Sequence, residues 1–368
     1  MPKTILVTGS LGYIGSRLTP YLEARRFHCI GYDAGFFREC TLYPPQDPQT
    51  LVKDLRHLKP SDLEGVDAVV HLAAISNDPF RHLKPEQIYD PTRKYTLQLA
   101  ELCKKNRMQF IFASSCSVYG IGGENPVTEE SGTFPQTAYS INKLQIESDL
   151  SKMSDGDFRP VVLRLATVFG PSPRMRFDLC INMFAGMALT AGQILLNSNG
   201  QSWRPAVYIE DVCKAISFAI DHKSPSRYPL ILNVGDDRSN FKIIDLARMV
   251  QAEVSECGLS FLKEQSGNSG DGLELVRDQN VRDNVDTRTY KVSFHRIKEV
   301  FKGFSCDWTV QEGIRTTLKK LGELPLTKER FRNANFYRLQ KFSALFDEGF
   351  LNGDLSWKSQ PEAVGWLP

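Results

Sequence analysis

Short apolar runs and amphipathic segments of helical period alternate along the first half of the chain. The apolar runs, which are typical of strands, lie at residues 4–8, 28–32, 68–73, 109–113 and 160–165. The segments of helical period lie between them, at residues 16–26, 95–105 and 139–153. Because this alternation is typical of parallel sheets covered by helices on both faces, the pattern predicts an α/β fold with a doubly wound parallel sheet.

The pattern loosens beyond the last of these strands, where prolines interrupt polar segments. Helices are predicted at residues 210–220, 241–254 and 310–321, and one more strand of the sheet at 230–234. The polar stretch 264–286 contains several glycines and serines, and it predicts a loop. The second half therefore indicates a smaller α/β lobe attached to the sheet.

Composition and charge exclude several classes of protein. The 368 residues carry a formal net charge of +2, which argues against a nucleic-acid binder with a broad basic surface. The eight cysteines form no Cys-x-x-Cys pair, so neither a metal site nor a redox motif is expected. No apolar run reaches the roughly 20 residues that span a membrane, and no signal peptide precedes the first strand. We therefore expect a cytoplasmic protein with reduced cysteines.

A glycine-rich turn follows the first predicted strand. Gly9, Gly12 and Gly15 lie between this strand and the next helix, with Leu11, Tyr13 and Ile14 in the same turn. The first glycine permits the tight turn, the second lets a pyrophosphate approach the backbone, and the third lets helix and strand pack closely. The helix that starts here directs unpaired N–H groups at the phosphates. This spacing in this context predicts a dinucleotide site.

Acidic residues after the next two strands indicate which dinucleotide binds. Asp33 ends the second strand, where a carboxylate accepts hydrogen bonds from the ribose hydroxyls of adenosine. Because this carboxylate would repel a 2′-phosphate, NAD is favoured over NADP. Asp54 and Leu55 follow the presumed third strand and are expected to contact the adenine.

A tyrosine and a lysine supply the candidate proton-transfer group. Tyr139 and Lys143 are one helical turn apart and therefore share a face. A free tyrosine is a poor base at neutral pH, and a neighbouring ammonium group is expected to lower its pKa. Ser115, at the end of a strand, is expected to hydrogen-bond the same substrate oxygen. Together they would remove a proton from a sugar hydroxyl while a hydride leaves its carbon for NAD.

With these motifs in this order, the chain resembles the extended short-chain dehydrogenase/reductases that act on nucleotide sugars, the epimerase/dehydratase group. The matching segments, which span roughly residues 3–321, are 8–15, 70–74, 114–120, 139–143, 164–170, 203–211 and 233–235. The resemblance implies further cofactor contacts from Leu72, Ala73, Ala74 and Val168. Candidate substrate contacts are Ser117, Asn182, Arg204 and Arg288, and the two arginines match positions that hold the substrate pyrophosphate.

The resemblance also implies the domain organisation. Residues 1–170 would form the Rossmann-type NAD-binding domain, with a return of the chain to the sheet around 205–235. Residues 171–321 would mainly form the lobe that binds the nucleotide diphosphate sugar. A homodimer would form through helices around 92–105 and 139–153. The tail at 322–368 lies outside the resemblance; it is rich in aromatic residues, so we expect it to pack on the body, but no chemical role is evident for it.

Departures from the family pattern reduce the number of reactions that we expect of this chain. The 4,6-dehydratases have Asp-Glu after the serine position, whereas Ser115 is followed here by Cys116 and Ser117. Cys116 also lies one position earlier than the cysteine of the 3,5-epimerases. Dehydration and 3,5-epimerisation are therefore disfavoured, and reversible oxidation of a ring hydroxyl at C4 remains. The first hypothesis is an epimerase; a 4-oxidase or 4-ketoreductase is the alternative, and a non-enzymatic NAD-sensing protein is a third.

Overall fold

The computed structural model describes residues 2–46, 49–76, 84–222, 228–261 and 288–359. The loop predicted at 264–286 lies outside the described residues. The strands are β1 Thr4–Thr8, β2 His28–Asp33, β3 Thr50–Val52, β4 Ala68–His71, β5 Gln109–Ser115, β6 Val161–Leu165, β7 Thr167–Phe169, β8 Gln193–Leu196, β9 Trp203–Tyr208, β10 Leu230–Val234, β11 Asn240–Lys242 and β12 Gly258–Phe261. Seven of them form one sheet, in the order β10-β6-β5-β4-β1-β2-β3, and every pair of neighbouring strands in it is parallel.

The predicted doubly wound parallel sheet is confirmed. Its central strands are buried along their whole length, as in β4 and β6, because helices cover both faces. The direction of winding reverses between β1 and β4, which are neighbours in the sheet. Loops on the two sides of such a reversal diverge and leave a crevice at the carboxyl edge of the sheet. The glycine-rich turn after β1 and residues 72–74 after β4 form the walls of that crevice.

Ten α-helices belong to the described residues, together with short 3₁₀ turns. They are α1 Gly15–Glu23, α2 Pro85–Lys105, α3 Ala138–Met153, α4 Cys180–Ala191, α5 Ile209–Asp221, α6 Ile243–Ala252, α7 His295–Val300, α8 Val310–Gly322, α9 Lys328–Phe331 and α10 Arg338–Asp347. Helix α2 begins ten residues before the predicted 95–105, because Pro91 lies inside the helix instead of ending it. Leu72 and Ala73, predicted as strand, belong to the connection after β4.

A smaller lobe is built from strands that leave the main sheet. After β6 the chain passes through Ala166 and pairs instead as β7 with β9, which also pairs with β11. Strands β8 and β12 form a separate parallel pair. The predicted return to the main sheet around 205–235 thus consists of β10 alone, since β9 belongs to the three-stranded sheet. These short strands carry the substrate-side wall of the crevice.

The aromatic tail packs on the body of the molecule, as its composition predicts. Phe331 of α9 contacts Phe177 edge to face, with ring centroids 4.9 Å apart. Phe342 of α10 is buried among aromatic rings of the main domain. Within the described ranges, no helix is long and apolar enough to cross a membrane.

Candidate active site

A cavity of about 560 Å³ opens at the carboxyl edge of the sheet. Its walls include the glycine-rich turn, the three catalytic candidates and the two arginines predicted to bind the substrate. A second cavity of about 110 Å³ adjoins it on the side of β2 and β3. The structure therefore brings residues from both halves of the sequence around one crevice.

The glycine-rich turn is shaped by backbone approach and leaves no room for side chains. Gly9 has φ +74°, and a Cβ there would lie 2.8 Å from the backbone nitrogen of Ala73. A Cβ on Gly15 would lie 2.2 Å from the carbonyl oxygen of Gly9. The Tyr13 hydroxyl donates to the carbonyl oxygen of Gly170 at 2.7 Å, which fixes the turn against the smaller lobe. Gly9, Gly12, Gly15, Tyr13 and Ile14 all line the larger cavity.

The smaller cavity has the residues expected around an adenosine. Asp33, Asp54, Leu55, Leu72, Ala73 and Ala74 line it. Asp33 accepts hydrogen bonds from the backbone N–H groups of Leu11, at 3.1 Å, and Gly35, at 2.8 Å, and burial raises the pKa of its carboxyl group. Leu11 lines neither cavity, so its contribution to this site is that backbone N–H. Asp54 is already paired with Arg56 at 2.6 Å.

Helix α3 presents Tyr139 and Lys143 to the larger cavity. The helix starts after Thr137, whose hydroxyl caps it by accepting a hydrogen bond from the N–H of Ser140 at 3.3 Å. Ser115, at the end of β5, also faces the cavity and hydrogen-bonds the Tyr139 side chain. Lys143 is buried, and its Nζ donates to the carbonyl oxygen of Ala113 at 2.7 Å.

Charge around Tyr139 differs from the sequence-based prediction. Burial lowers the pKa of Lys143 to about 7, so this lysine is only partly charged at neutral pH. Burial also raises the pKa of Tyr139, and the positive groups that oppose this rise are Arg176, Arg338 and Arg288. The lysine was predicted to lower the tyrosine pKa; in the protein alone, arginines and the Ser115 hydrogen bond do so.

Of the four predicted substrate contacts, three line the larger cavity and one does not. Arg204 and Arg288 line the larger cavity together with Ser117 and Val168. Arg204 donates through Nη1 to the carbonyl oxygen of Trp203 at 2.8 Å and also to that of Arg288, which ties the two arginines together. The Ser117 hydroxyl is buried without a hydrogen-bond partner, as expected for a group that faces a ligand.

Asn182 does not line the cavity, contrary to the prediction of a substrate contact. Its side chain is fully buried, and its oxygen accepts from the N–H of Gly170 at 3.0 Å. Its amide nitrogen donates to the Tyr13 hydroxyl and to the carbonyl oxygen of Arg176, both at 3.1 Å. All its polar groups are used inside the protein, so Asn182 orders the turn beneath the site.

Cys116 also lies outside the cavity lining. Its thiol donates to the carbonyl oxygen of Arg164 at 3.2 Å, and burial raises the pKa of the thiol. The side chain therefore behaves as a buried thiol. In the part of the chain that the structure describes, no group of three His, Cys, Asp or Glu side chains could hold a metal ion.

Three charged residues of the cavity were not among the predicted site residues. Arg176 forms a two-point ion pair with Asp178, with both nitrogen–oxygen distances 2.9 Å. Arg338 reaches the same wall from helix α10 in the tail. Arg176 and Asp178 follow the matching segment 164–170, which indicates that they lie near the site, but no local pattern marks Arg338 as part of a site.

The residues around the two cavities fit a dinucleotide. The turn at Gly9 and Gly12 exposes backbone where a phosphate must approach, and the Asp33 carboxylate stands in the smaller cavity. Arg338 lines both cavities, and its buried Nε has no hydrogen-bond partner. When bound, NAD would contact the turn with its pyrophosphate and Asp33 with a ribose.

Comparison with known proteins gives the family. The sequence model of the NAD dependent epimerase/dehydratase family matches residues 5–235. The uncharacterized UDP-glucose epimerase YtcB of Bacillus subtilis (strain 168) is 30% identical over 269 residues, which cover 66% of this chain and 80% of that protein.

Two solved structures share the fold. TunA, a NAD dependent NDP-hexosamine 5,6-dehydratase involved in tunicamycin biosynthesis, matches with a TM-score of 0.72 and 22% identity, over 88% of this chain and 99% of that chain. The UDP-glucuronic acid 4-epimerase from Bacillus cereus, in complex with UDP-glucuronic acid and NAD, has a TM-score of 0.69 and 23% identity, over 87% and 99%. The chain belongs to the NAD dependent epimerase/dehydratase family and is a NAD-dependent enzyme of the short-chain dehydrogenase/reductase type.

Proposed function

We propose that the protein is an epimerase that inverts C4 of a nucleotide diphosphate sugar. Ser115, Tyr139 and Lys143 share the larger cavity with the glycine-rich turn, which supports proton removal next to a bound dinucleotide. Arg204 and Arg288 lie in the same cavity, and guanidinium groups suit two-point contact with a pyrophosphate. We assign these two arginines to the diphosphate of the substrate.

The scarcity of other proton-transfer groups carries this proposal. Among the described residues that line the larger cavity, Asp178 is the one carboxylate. Burial would raise its pKa, but the ion pair with Arg176 lowers it overall, so Asp178 stays ionised and is a poor acid. Cys180 is a thiol whose pKa burial raises to about 11. Elimination of water needs an acid and a base at separate positions, whereas oxidation and reduction of one carbon need a single group such as Tyr139.

Each residue of the catalytic group has a distinct task in this proposal. Tyr139 removes the proton of the C4 hydroxyl and later returns it to the oxygen of the ketone. Ser115 hydrogen-bonds that oxygen and keeps it within reach of the tyrosine. Lys143, whose Nζ lies 5.9 Å from the centre of the Tyr139 ring, supports the bound cofactor and adds positive charge in the fraction of molecules in which it is protonated. NAD supplies the acceptor for the hydride of C4 and returns it.

The relatives support a sugar-nucleotide substrate but differ in reaction. The B. cereus protein is a 4-epimerase, and YtcB carries the name of a UDP-glucose epimerase. TunA is a 5,6-dehydratase with the same fold. A 4-oxidase or 4-ketoreductase uses the same catalytic group and releases or takes up the ketone, so product analysis has to separate these outcomes.

The test is incubation with UDP-, GDP-, dTDP- and CDP-sugars in deuterated water, with the products identified by NMR. Because the hydride returns to the carbon that it left, a C4 epimer forms without deuterium on any ring carbon. Dehydration and 3,5-epimerisation exchange carbon-bound hydrogen with the solvent. Accumulation of reduced nicotinamide together with a keto sugar would instead indicate an oxidase, and the absence of any product would favour an NAD-sensing protein.

Replacement of the catalytic tyrosine gives a second test. We expect Tyr139→Phe to lower kcat about 10²- to 10⁴-fold, because proton transfer by a positioned group contributes about that factor. NAD affinity, measured by calorimetry, should change little, since the aromatic ring remains. Tyr228→Phe makes the same change at a tyrosine that is 61% exposed and lines neither cavity, so it is the matched control and should keep its activity. Full turnover by Tyr139→Phe would assign the proton transfer to another group.

We also propose that the protein is a cytoplasmic homodimer. All eight cysteines are free, which is typical of proteins in a reducing compartment. The dimer would form through the outer faces of α2 and α3, the two helices named by the family resemblance. We propose neither a nucleic acid nor a membrane as a partner of the protein.

A further inference from the structure

The two cavities meet at five residues. Gly9, Gly12, Leu72, Ala74 and Arg338 line both of them. The first four belong to the loops after β1 and β4, where a Rossmann-type domain binds a pyrophosphate. Arg338 comes from α10 in the tail, outside the matching family segments. A dinucleotide that spans both cavities must therefore pass between the glycine-rich turn and Arg338.

The Arg338 side chain has donors that the protein does not use. Its Nη1 donates to the Ser76 hydroxyl, whereas its Nε is buried without a hydrogen-bond partner. The guanidinium carbon lies 5.5 Å from the centre of the Phe37 ring. On that ring, the Arg174 guanidinium carbon lies 4.2 Å from the centre. A buried guanidinium nitrogen without a partner is costly, and an acceptor from a ligand removes that cost.

The charges at this junction favour an anion. Burial and the neighbouring Arg176 and Arg174 lower the pKa of Arg338 well below its usual value. Arg174 is itself buried, and two of its nitrogens have no partner. Two carboxylates, Asp33 and Asp178, interact electrostatically with these arginines and offset part of the charge of the three guanidinium groups. The remaining positive charge suits a phosphate group, which also accepts hydrogen bonds in the fork geometry of arginine.

The tail is anchored on the wall of the adenosine cavity on the far side of Arg338. The Trp357 indole N–H donates to the carbonyl oxygen of Ala34 at 2.7 Å, and its ring stacks on Phe36 with centroids 5.2 Å apart. Asp354 forms an ion pair with Arg56 at 3.0 Å. These contacts join the tail to the loops after β2 and β3 and hold α10 over the crevice.

We propose that residues 328–359 form a cap on the dinucleotide site, and that Arg338 binds the pyrophosphate of NAD from the side opposite the glycine-rich turn. Phe342 and Leu355 would cover the adenosine, since both line the smaller cavity. The cap retains the cofactor between turnovers. Retention agrees with an enzyme that takes its hydride back and has no need to exchange NAD.

The test is binding of NAD, ADP-ribose and adenosine to the full-length protein and to Arg338→Gln. A charge-assisted hydrogen bond to a phosphate should make the Kd of NAD and of ADP-ribose rise about 10- to 100-fold in the variant. The Kd of adenosine, which has no phosphate, should change less than about twofold. The fraction of NAD that stays bound through prolonged dialysis should fall in parallel. Arg332→Gln, which alters an arginine of the same segment that lines neither cavity, is the matched control.

Two results would overturn the proposal. An equal loss of affinity for adenosine and ADP-ribose would mean that Arg338 only supports the fold of the tail. Unchanged NAD affinity together with weaker binding of the nucleotide sugar would assign Arg338 to the substrate. Arg338→Lys keeps the positive charge and guards against misfolding, and it should restore part of the ADP-ribose affinity.

Discussion

His71 lies at the end of β4 between two threonines, and its ring is fully enclosed. The Thr96 hydroxyl donates to the carbonyl oxygen of Thr92 at 2.7 Å, so it accepts from Nε2 of His71 at 2.9 Å. Nδ1 is then left to accept from the Thr8 hydroxyl at 2.7 Å. Burial lowers the pKa of the ring to about 3, and the charge of Lys143 adds to this. The ring is neutral and structural, although it lies near the crevice.

This neutral histidine predicts loss of stability in acid. The folded pKa of about 3 is below the unfolded value of 6.5, so the unfolded chain binds more protons as the pH falls below 6.5. The free energy of unfolding should therefore fall by about 2 kcal/mol between about pH 7 and about pH 5 through this residue. Urea unfolding gives the free energy of unfolding of wild type and of His71→Gln at both pH values. The contribution of the histidine is the change, between the two pH values, in the difference between these two free energies. A constant difference would mean that the ring is charged in the folded protein.

Site residues that form a local sequence motif could be predicted. Site residues that come together only in the folded chain, from distant positions in the sequence, could not. Gly9, Gly12 and Gly15 form a local pattern whose spacing reflects the turn itself. Asn182 follows the right strand, but the sequence did not indicate that its side chain points inward. Arg338 meets Ser76 across 262 positions of the chain, and no periodicity encodes such a contact.

At the scale of elements, burial on both faces explains which strands the sequence predicted. Strand β10 matches the prediction at both ends, and β6 differs by one residue, because four of the five residues in each strand are apolar. Strands β7 and β11, with three residues each, are too short for any periodicity. Helix α2 was predicted only in its second half, since Pro91 usually marks a helix end. The architecture is thus encoded locally in the main sheet and much less so in the smaller lobe.

The tail gives a prediction at the same scale. Phe342 is 1% exposed, and its ring lies 5.2 Å from those of both Phe36 and Phe37. Phe342→Ala should cost about 3–5 kcal/mol, because it leaves a cavity in a small cluster. We expect residues 338–359 to open by themselves, since their cluster is separate from the cores beside the sheet, whereas Phe331 and Phe336 belong to the main core.

Hydrogen exchange followed by mass spectrometry measures this opening. Exchange should accelerate in residues 338–359 of Phe342→Ala, while β1, β4 and β5 keep their protection. NAD retention should fall in the same variant. Phe350→Ala removes a ring that is 49% exposed and serves as the matched control. Equal acceleration in the tail and the sheet would show that the tail unfolds only with the whole molecule.

At the scale of the whole molecule, three parts of the chain meet over one crevice. The main sheet supplies the glycine-rich turn and the catalytic group, the smaller lobe supplies Arg204 and Arg288, and the tail supplies Arg338. In the two proposals made above, chemistry and cofactor retention therefore depend on different segments. An enzyme that returns its hydride gains from a closed cofactor site, whereas an oxidase must exchange NAD in every turnover. Slow NAD release and epimerase activity should accordingly be found together.

Assembly of two copies provides the last prediction. Helices α2 and α3 lie side by side, and α3 presents Ile141, which is 43% exposed, on its outer face. In a symmetric dimer this side chain is buried twice, once in each protomer. Ile141→Asp should therefore weaken the dimer by about 3 kcal/mol or more, which is over about 100-fold in Kd.

Size-exclusion chromatography with light scattering, over a range of protein concentrations, measures this dissociation. Wild type should elute at twice the chain mass and Ile141→Asp should approach the mass of one chain on dilution. Phe350→Asp introduces the same charge at an exposed aromatic of the tail and should leave the dimer unchanged. A monomeric wild type would rule out the dimer, and a stable dimer of the Ile141 variant would locate the interface elsewhere. Because Tyr139 and Lys143 lie on the inner face of α3, the dimer would brace the helix that carries the catalytic group.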